Sequence, residues 1–408
     1  MTTLAGWVAA HATRIETLDP TAALDDLEPL RDLVGDARVV ALGESAHRVR
    51  EFHLLRHRLL RFLVERCGFT AYTYETGYTE APAIDAWMSG GPGDLATVAA
   101  GIAHGVGYDA EARDQLAWLR SHNNTADRPV RFAGCLSSPP LVALRRVAAY
   151  LERTDRDAMP LVARALDLVT AYHHDSLMAV IAAYGELPDS TRDELTATLS
   201  RLLCRLQMAG SAEAEAAAAV RQLRSAWYLD HLCRDLVGRG LPVGTACLDA
   251  FAAEAVLDLL DDDGARVVVA MHNTHIRRTV GPHDEVSGLL PQGHHLARAL
   301  GDRYVAIGMT AVAGRTARMR MAPDRPRGYT IEDCPLPDLA EGSVEAAFCG
   351  VGSAAVADLR AARPCVDDAD TYRHIRMEDY TMESVVVEAF DAVACVPTSA
   401  PTSAVGRA

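Results

Sequence analysis

The sequence predicts an α/β fold in which a mostly parallel central sheet is flanked by helices and a helical insertion forms a lid or wall over the strand ends. Short apolar runs alternate with amphipathic segments, the order expected for a parallel sheet. Residues 140–236 are rich in Ala, Leu and Arg and contain no strand-like run. Three apolar runs end at an ionisable residue, which favours a polar site at one edge of the sheet.

Composition excludes several classes of partner. The chain has 408 residues, enough for one large domain or two ordinary ones, and a formal net charge of −15. An acidic surface argues against nucleic acid, whose phosphates require a basic face, and against docking on anionic membrane. The absence of lysine indicates GC-rich coding, as in many actinobacteria. We expect a small-molecule substrate as partner, and the sequence does not indicate an oligomeric state.

Cysteine usage favours a reducing compartment. The chain has 9 cysteines, an odd number without a CxxC pair, so neither a disulfide framework nor a cysteine-based zinc site is expected. The start of the chain lacks the basic and apolar regions of a signal peptide, and no run approaches a membrane span of about 18 apolar residues. We therefore expect a cytoplasmic protein.

The first third of the chain reads as two short helices over 1–36, a strand over 37–42 and a helix over 47–66. Apolar residues such as Phe52 and Leu59 recur along one face of that helix, and Arg56 falls on the same face. Because an isolated buried charge is unfavourable, this guanidinium must be paired. It either extends to the helix edge or reaches carboxylates at the strand ends.

The remaining elements follow in order. The predicted strands cover 70–74, 129–134, 265–271, 304–309, 316–321 (as the antiparallel neighbour of 304–309) and 391–396, and the predicted helices cover 79–88 and 110–121. Residues 322–340 are interpreted as an exposed loop, and turns are expected at Gly185 and Gly210. The predicted organisation is an α/β core over 1–139, a helical insertion over 140–236, a second part of the core over 237–397 and a disordered tail over 398–408.

The first candidate site lies where the strand at 37–42 ends. Glu44 and His47 stand three residues apart after Gly43. A carboxylate beside an imidazole orients the ring and raises its pKa, so that the ring can take a proton from water or an alcohol. The alternative is that Glu44 caps the following helix and His47 is a surface residue of its first turn.

Two further strand ends carry candidates. Glu75 follows the strand at 70–74, and His272 and His275 follow the strand at 265–271 in an HxxH pattern. The two histidines could hold a metal together with Glu44 and Glu75, or could supply a general acid and a group that orients the substrate. Each position could also be an ordinary solvated strand end.

Other catalytic patterns are absent from the sequence. It contains no Gly-x-Ser-x-Gly elbow, no Walker A loop and no Gly-x-Gly-x-x-Gly after a strand. His294 and His295 are interpreted as a cap or surface feature of the next helix. Because no nucleophilic side chain is evident, water activated by His47 is the simplest chemistry.

Taken together, these motifs resemble the erythromycin esterase family over about residues 35–397. The residues that carry the resemblance are Leu42–His47, Arg50–Phe52, Leu55–Glu65, Glu75, Ser89–Gly91, Trp118–Arg120, Val268–His275, Tyr304–Gly308, Asp358–Arg360 and Phe390–Val393.

The resemblance implies that water hydrolyses a macrolactone ester at a core sheet with a helical insertion. It assigns the general base to His47 and the supporting carboxylates to Glu44 and Glu75. It also implies that Arg56 and a histidine of the pair His272 and His275 stabilise the oxyanion. The family is described as metal-independent, so no cofactor and no metal are expected.

The sequence differs from the family pattern at three places near these candidate site residues. Arg48-Val49 replaces Gly-Thr after the motif histidine, and we expect Arg48 to narrow or charge the cleft mouth. Family members often have an acidic residue after the glycine of the strand near 134, whereas Cys135 follows Gly134 here. Ala252 and Val256 stand where the family usually has Met and Asn. These departures keep two alternatives open beside the hydrolase: a non-hydrolytic tailoring enzyme of a polyketide or other secondary-metabolite pathway (cyclisation, acyl transfer or elimination), and a binding protein without activity.

Overall fold

The structure, a computed structural model, describes residues 2–100, 107, 109–174, 176–209, 214–238, 246–261, 264–281, 290–322, 325, 328–368 and 371–403. Its strands are β1 (Thr13–Ile15), β2 (Val39–Leu42), β3 (Ala71–Gly77), β4 (Arg131–Leu136), β5 (Val267–Ala270), β6 (Tyr304–Met321), β7 (Tyr329–Pro335), β8 (Ala354–Asp358), β9 (His374–Met377), β10 (Tyr380–Glu383) and β11 (Ala392–Ser399). Within these ranges, no helix is both long and apolar enough to cross a bilayer.

Helices cover most of the remaining described residues. They are α1 (Leu4–His11), α2 (Arg31–Val34), α3 (Arg50–Cys67), α4 (Ala81–Met88), α5 (Leu95–Ala99), α6 (Ala110–Asn123), α7 (Pro140–Thr154), α8 (Met159–Thr170), α9 (Leu177–Gly185), α10 (Asp189–Met208), α11 (Ala214–Leu236), α12 (Ala246–Leu259), α13 (Asn273–Ile276), α14 (Gln292–Leu300), α15 (Leu359–Ala362) and α16 (Val386–Ala389). Short 3₁₀ segments occur at Asp25–Leu30, Arg156–Ala158, Gly301–Arg303 and Val344–Phe348.

The central sheet confirms the predicted α/β fold class. Its strand order is β1-β8-β11-β6-β2-β5-β3-β4, with β7 paired to β6 beyond this path. The run from β11 to β4 is parallel throughout, whereas β1, β8 and β7 pair antiparallel. Helices therefore connect the strands across both faces, as parallel pairing requires.

Residues of β2 alternate between two hydrophobic cores. Val40 and Leu42 pack into one core together with α3, and Val39 and Ala41 pack into the other together with α12. Both faces of the strand are thus covered, which explains why it reads as a continuous apolar run instead of an alternating one.

A third hydrophobic core lies within helices α7–α11. The described residues of 140–236 contain no strand, and this helical segment lies beside the ends of β3 and β4. Nη2 of Arg146 donates to the carbonyl of Thr79 at 3.0 Å, and Oγ of Ser225 accepts from the backbone N–H of Ser138 at 3.0 Å. The division of the chain into domains remains a prediction, and Gly210 lies outside the described residues.

Strand β6 corrects two predictions. Residues 304–309 and 316–321 belong to one strand, and the antiparallel neighbour of its second half is β7, which lies in the segment interpreted as a loop. An antiparallel pairing of the two runs would require a turn between them, near Gly314. In the structure Gly314 has φ 113° and remains in register with Ser399 of β11, so the strand continues through it without a reversing turn.

Two boundary predictions were also wrong. The helix after the first motif begins at Arg50 with Val49 as its N-cap, so Glu44 does not cap it. Residues 398–403 are not a disordered tail: β11 runs to Ser399, and Thr402 is 3% exposed. The backbone N–H of Thr402 donates to the carbonyl of Arg48 at 2.8 Å, which holds this segment against the residues that follow the first motif.

Candidate active site

Three adjacent strands end at the same edge of the sheet. Leu42 of β2 and Tyr74 of β3 both pair with Ala270 of β5, and all three strands are parallel. Glu44, which follows β2, and Glu75, which follows Tyr74 within β3, are therefore brought together. This is the edge at which the sequence predicted a polar site.

A close backbone approach shapes the first strand end. The backbone N–H of Asn273 donates to the carbonyl of Glu44 at 2.8 Å, and the Asn273 amide also bonds both backbone groups of Met309. A Cβ at Gly43 would lie 2.0 Å from Oδ1 of Asn273. Glycine at position 43 thus lets the first motif lie directly against the start of α13, where the two histidines lie.

His47 stands between two buried carboxylates. Its Nδ1 donates to Oε1 of Glu44 at 2.8 Å, and its Nε2 lies 3.5 Å from Oε2 of Glu75. Burial by itself would lower the pKa of His47, but Glu75 and Glu44 outweigh it and raise that pKa to about 9. The His47 side chain is 18% exposed, whereas those of Glu44 and Glu75 are 1% and 4% exposed, so the ring is the member that reaches solvent.

Arg56 holds Glu44 from the side opposite His47. Its Nη2 donates to Oε2 of Glu44, and its Nη1 donates to the hydroxyl of Tyr74 at 2.8 Å. Burial alone would raise the pKa of Glu44, but Arg56 and His47 hold that pKa well below its usual range. Because the Arg56 side chain is fully buried, the prediction that it contacts an oxyanion does not fit; its contacts fix the carboxylate that orients His47.

His272 is turned inward, and both of its ring nitrogens have hydrogen-bond partners. Its backbone N–H donates to Oε1 of Glu75 at 2.5 Å, and its ring Nε2 donates to the carbonyl of Ser45 at 2.9 Å. Nδ1 then accepts from the backbone N–H of Thr274 at 3.3 Å. Burial, and after it the charge of His47, lowers the pKa of His272 to about 4. His272 thereby joins the β2 and β3 strand ends, and its only ring N–H is already used.

His275 faces a different carboxylate. Its Nδ1 donates to Oδ1 of Asp249 at 2.8 Å, and Asp249 lies in the first turn of α12. His272 and His275 therefore do not point at a shared ligand. Among the described residues, no group of three or more His, Cys, Asp or Glu side chains is arranged to hold a metal ion. The residues at these strand ends do not fit the metal alternative raised from the HxxH pattern.

Two acidic residues near the site were not predicted from the sequence. Asp249 is separated from His275 by 26 residues and lies on a helix with no distinguishing pattern. Glu378 lies in the turn between β9 and β10, where it has φ 48° and its backbone N–H donates to the carbonyl of Ser45 at 2.7 Å. Positive φ is uncommon at a non-glycine residue, and such positions cluster at functional sites. It is visible only in the backbone geometry, so the sequence could not identify Glu378.

The prediction for Arg48 was wrong. The side chain is fully buried and does not charge the cleft mouth. Its Nε donates to Oδ1 of Asp109 at 3.3 Å, and the hydroxyl of Thr402 donates to the same oxygen at 2.6 Å. Arg48 also has φ 60°, so these contacts hold a left-handed conformation that favours glycine. It is a buried ion-pair residue that anchors the segment near the end of the chain.

Comparisons with known proteins identify relatives over most of the chain. A family model described as erythromycin esterase matches residues 64–399, which include Glu75, His272 and His275. Erythromycin esterase type II of Escherichia coli is 30% identical over 363 residues, which covers 85% of this chain and 86% of that protein. Erythromycin esterase type I of Escherichia coli is 24% identical over 402 residues, covering 93% and 95%.

A solved structure of an erythromycin esterase mutant in its open conformation has a TM-score of 0.84 to this chain at 24% identity, and the match covers 96% of this chain and 98% of that one. At that identity the likeness shows the fold, a central sheet with helices on both faces.

Proposed function

The chain belongs to the erythromycin esterase family, and from that premise we propose that it is a carboxylic ester hydrolase in which His47 activates water. One observation carries the proposal: the His47 ring is the exposed member of a set of strand-end groups whose carboxylates are buried and fixed. A base must be oriented and must reach solvent, and the His47 ring, held by Glu44 beside Glu75, has both properties.

In the proposed reaction, Glu44 holds Nδ1 of His47 and directs Nε2 toward the cleft. Glu75 lies 3.5 Å from that nitrogen, close enough for a water at the exposed side of the ring to contact both groups. Nε2 takes a proton from this water while the oxygen adds to the carbonyl carbon of the ester. Arg56 and Tyr74 act through Glu44, and His272 acts by holding the Ser45 carbonyl and Glu75 in place.

The proposed substrate is an ester or lactone of a bulky natural product, similar to a macrolide. The names of the relatives support this class, because both Escherichia coli proteins are called erythromycin esterases. Helices α7–α11, which lie beside the ends of β3 and β4, would form one wall of the cleft.

Heavy-oxygen labelling tests the reaction class. Purified protein is incubated in ¹⁸O-water with a panel of macrolides and simple lactones, and the products are measured by mass spectrometry. We expect the new carboxylic acid to contain one ¹⁸O atom. A product with the same mass as the substrate would instead indicate ring closure or isomerisation by a tailoring enzyme. No turnover across the panel, with ligand binding retained, would indicate a binding protein.

The pKa of His47 predicts how activity depends on pH. A base must be neutral to accept a proton, and the two carboxylates raise the pKa of His47 to about 9, so the ring is largely protonated at pH 7. We expect kcat/KM to rise between pH 7 and pH 9 as the proton is lost. Replacing Glu75 with Gln removes a charge that raises this pKa, so the rise should move to lower pH. A profile that is flat over this range in both proteins would exclude His47 as the base.

A further inference from the structure

We propose that Asp249 is a positioning residue that makes His275 the proton donor to the leaving alkoxide, while His47 acts as the base. This inference rests on the proposed function, because it assigns the second half of the same ester hydrolysis. It gives the site two carboxylate–imidazole pairs, one to take a proton from water and one to supply a proton to the alcohol product.

The contact between Asp249 and His275 has the geometry of an orienting pair. Asp249 is 4% exposed, and its Oδ1 lies 2.8 Å from Nδ1 of His275. The same oxygen accepts the backbone N–H of Gln292, the first residue of α14, at 2.9 Å. Three segments of the chain thus meet at one buried oxygen, which leaves the carboxylate little freedom to move away from the ring.

This contact determines which ring nitrogen of His275 faces the reaction. Nδ1 must carry a proton, because a carboxylate oxygen can only accept. Nε2 is then the nitrogen available for proton transfer, and it has no hydrogen-bond partner within the described ranges. The side chain is 26% exposed, so this nitrogen belongs to a ring that a substrate can reach.

The surrounding charges keep His275 protonated more readily than a free histidine. Burial by itself would lower the pKa of His275, but Asp249 outweighs burial and Glu75 adds to the effect, so the pKa is raised. His47 opposes this shift, and the neighbouring His272 is neutral. A proton donor must hold a proton before it can give one, and the raised pKa of His275 favours the protonated ring.

His272 cannot take this role. Its ring N–H donates to the Ser45 carbonyl, and its pKa is lowered to about 4, so at neutral pH it has no further proton to offer. Of the two histidines that the HxxH pattern places after β5, only His275 combines a carboxylate partner with a ring that reaches solvent.

The proposed steps account for every bond formed and broken and for every proton transferred. Nε2 of His47 takes a proton from water, and the water oxygen forms a bond to the carbonyl carbon. The tetrahedral intermediate then breaks its bond to the alkoxide oxygen, and Nε2 of His275 gives that oxygen a proton. The products are one acid and one alcohol, and exchange with solvent moves the proton from His47 back to His275.

A leaving-group comparison in Asp249→Asn tests the proposal. Alkyl esters release a basic alkoxide that needs a proton, whereas nitrophenyl esters release a stable anion that does not. We expect kcat for an alkyl ester or lactone to fall by about 10²- to 10³-fold, the range of a lost general acid, and kcat for the matching nitrophenyl ester to change less than about threefold. Asp258→Asn, at the far end of the same helix, is the matched control and should leave both rates unchanged.

Histidine NMR separates this inference from the proposed function, because it needs no substrate. We expect the pKa of His275, assigned with His275→Gln, to fall by about one unit or more in Asp249→Asn and to stay constant in Asp258→Asn. The asparagine of Asp249→Asn keeps a carbonyl oxygen for the backbone N–H of Gln292, so α14 should remain capped. Asp249→Glu restores the charge and should recover part of the alkyl-ester rate.

The two experiments separate failure of this inference from failure of the proposed function. Equal losses on both ester classes, or an unchanged pKa of His275, would overturn the inference and leave Asp249 as a support of α14. If the wild-type protein hydrolyses no ester, the proposed function fails, and the NMR titration still reports whether Asp249 controls the charge of His275.

Discussion

Replacing His47 with alanine is expected to lower kcat for ester hydrolysis by about 10²- to 10⁴-fold, the contribution of a positioned general base, since no other exposed base lies between Glu44 and Glu75 in the described structure. The fold should survive, because Glu44 keeps its bonds to Arg56 after the ring is removed. The measurement is steady-state kinetics together with a thermal unfolding curve.

Chemical rescue sharpens this experiment. The alanine variant leaves a solvent-accessible space beside Glu44 and Glu75 where the His47 ring stood, and added imidazole should restore part of the rate in proportion to its concentration. His11→Ala is the matched control, because His11 is exposed on α1 and should affect neither rate nor stability. A His47→Ala enzyme with more than about a tenth of wild-type kcat would assign the base to another group.

The strand-end part of this site was predictable from the sequence. Parallel strands end at one edge of a sheet, so the residues that follow them meet there whatever their separation along the chain. Glu44, Glu75 and His272 each follow an apolar run directly, and the register of β2, β5 and β3 brings them together. Arg56 was identified by the same reasoning, since a charge on an apolar helix face needs a partner.

Contacts that cross between elements were not predictable. Asp249 of α12 meets His275 of α13, and Glu378 meets Ser45 through a hairpin outside the central sheet. Neither follows from periodicity or spacing. The prediction for Arg48 was wrong because a charged residue directly after the motif is expected to be exposed. Its burial is explained only by its partner Asp109, which the sequence does not indicate.

Replacing Glu44 with glutamine is expected to destabilise the protein by about 3–5 kcal/mol, because it leaves the fully buried guanidinium of Arg56 without a compensating charge. Urea denaturation measures the free energy of unfolding. Glu28→Gln is the matched control: Glu28 pairs with Arg31 at 2.9 Å, but both side chains are partly exposed, so its loss should change stability by less than about 1 kcal/mol.

The double variant Glu44→Gln with Arg56→Met separates stability from catalysis. Removing both charges eliminates the unpaired guanidinium, so we expect the free energy of unfolding to return to within about 2 kcal/mol of wild type. Activity should not return with it, because the introduced methionine cannot fix the glutamine side chain that would have to orient His47. A double variant as unstable as Glu44→Gln alone would mean that Arg56 is not the group that Glu44 compensates. One that regained full activity would mean that Glu44 has no part in orienting His47.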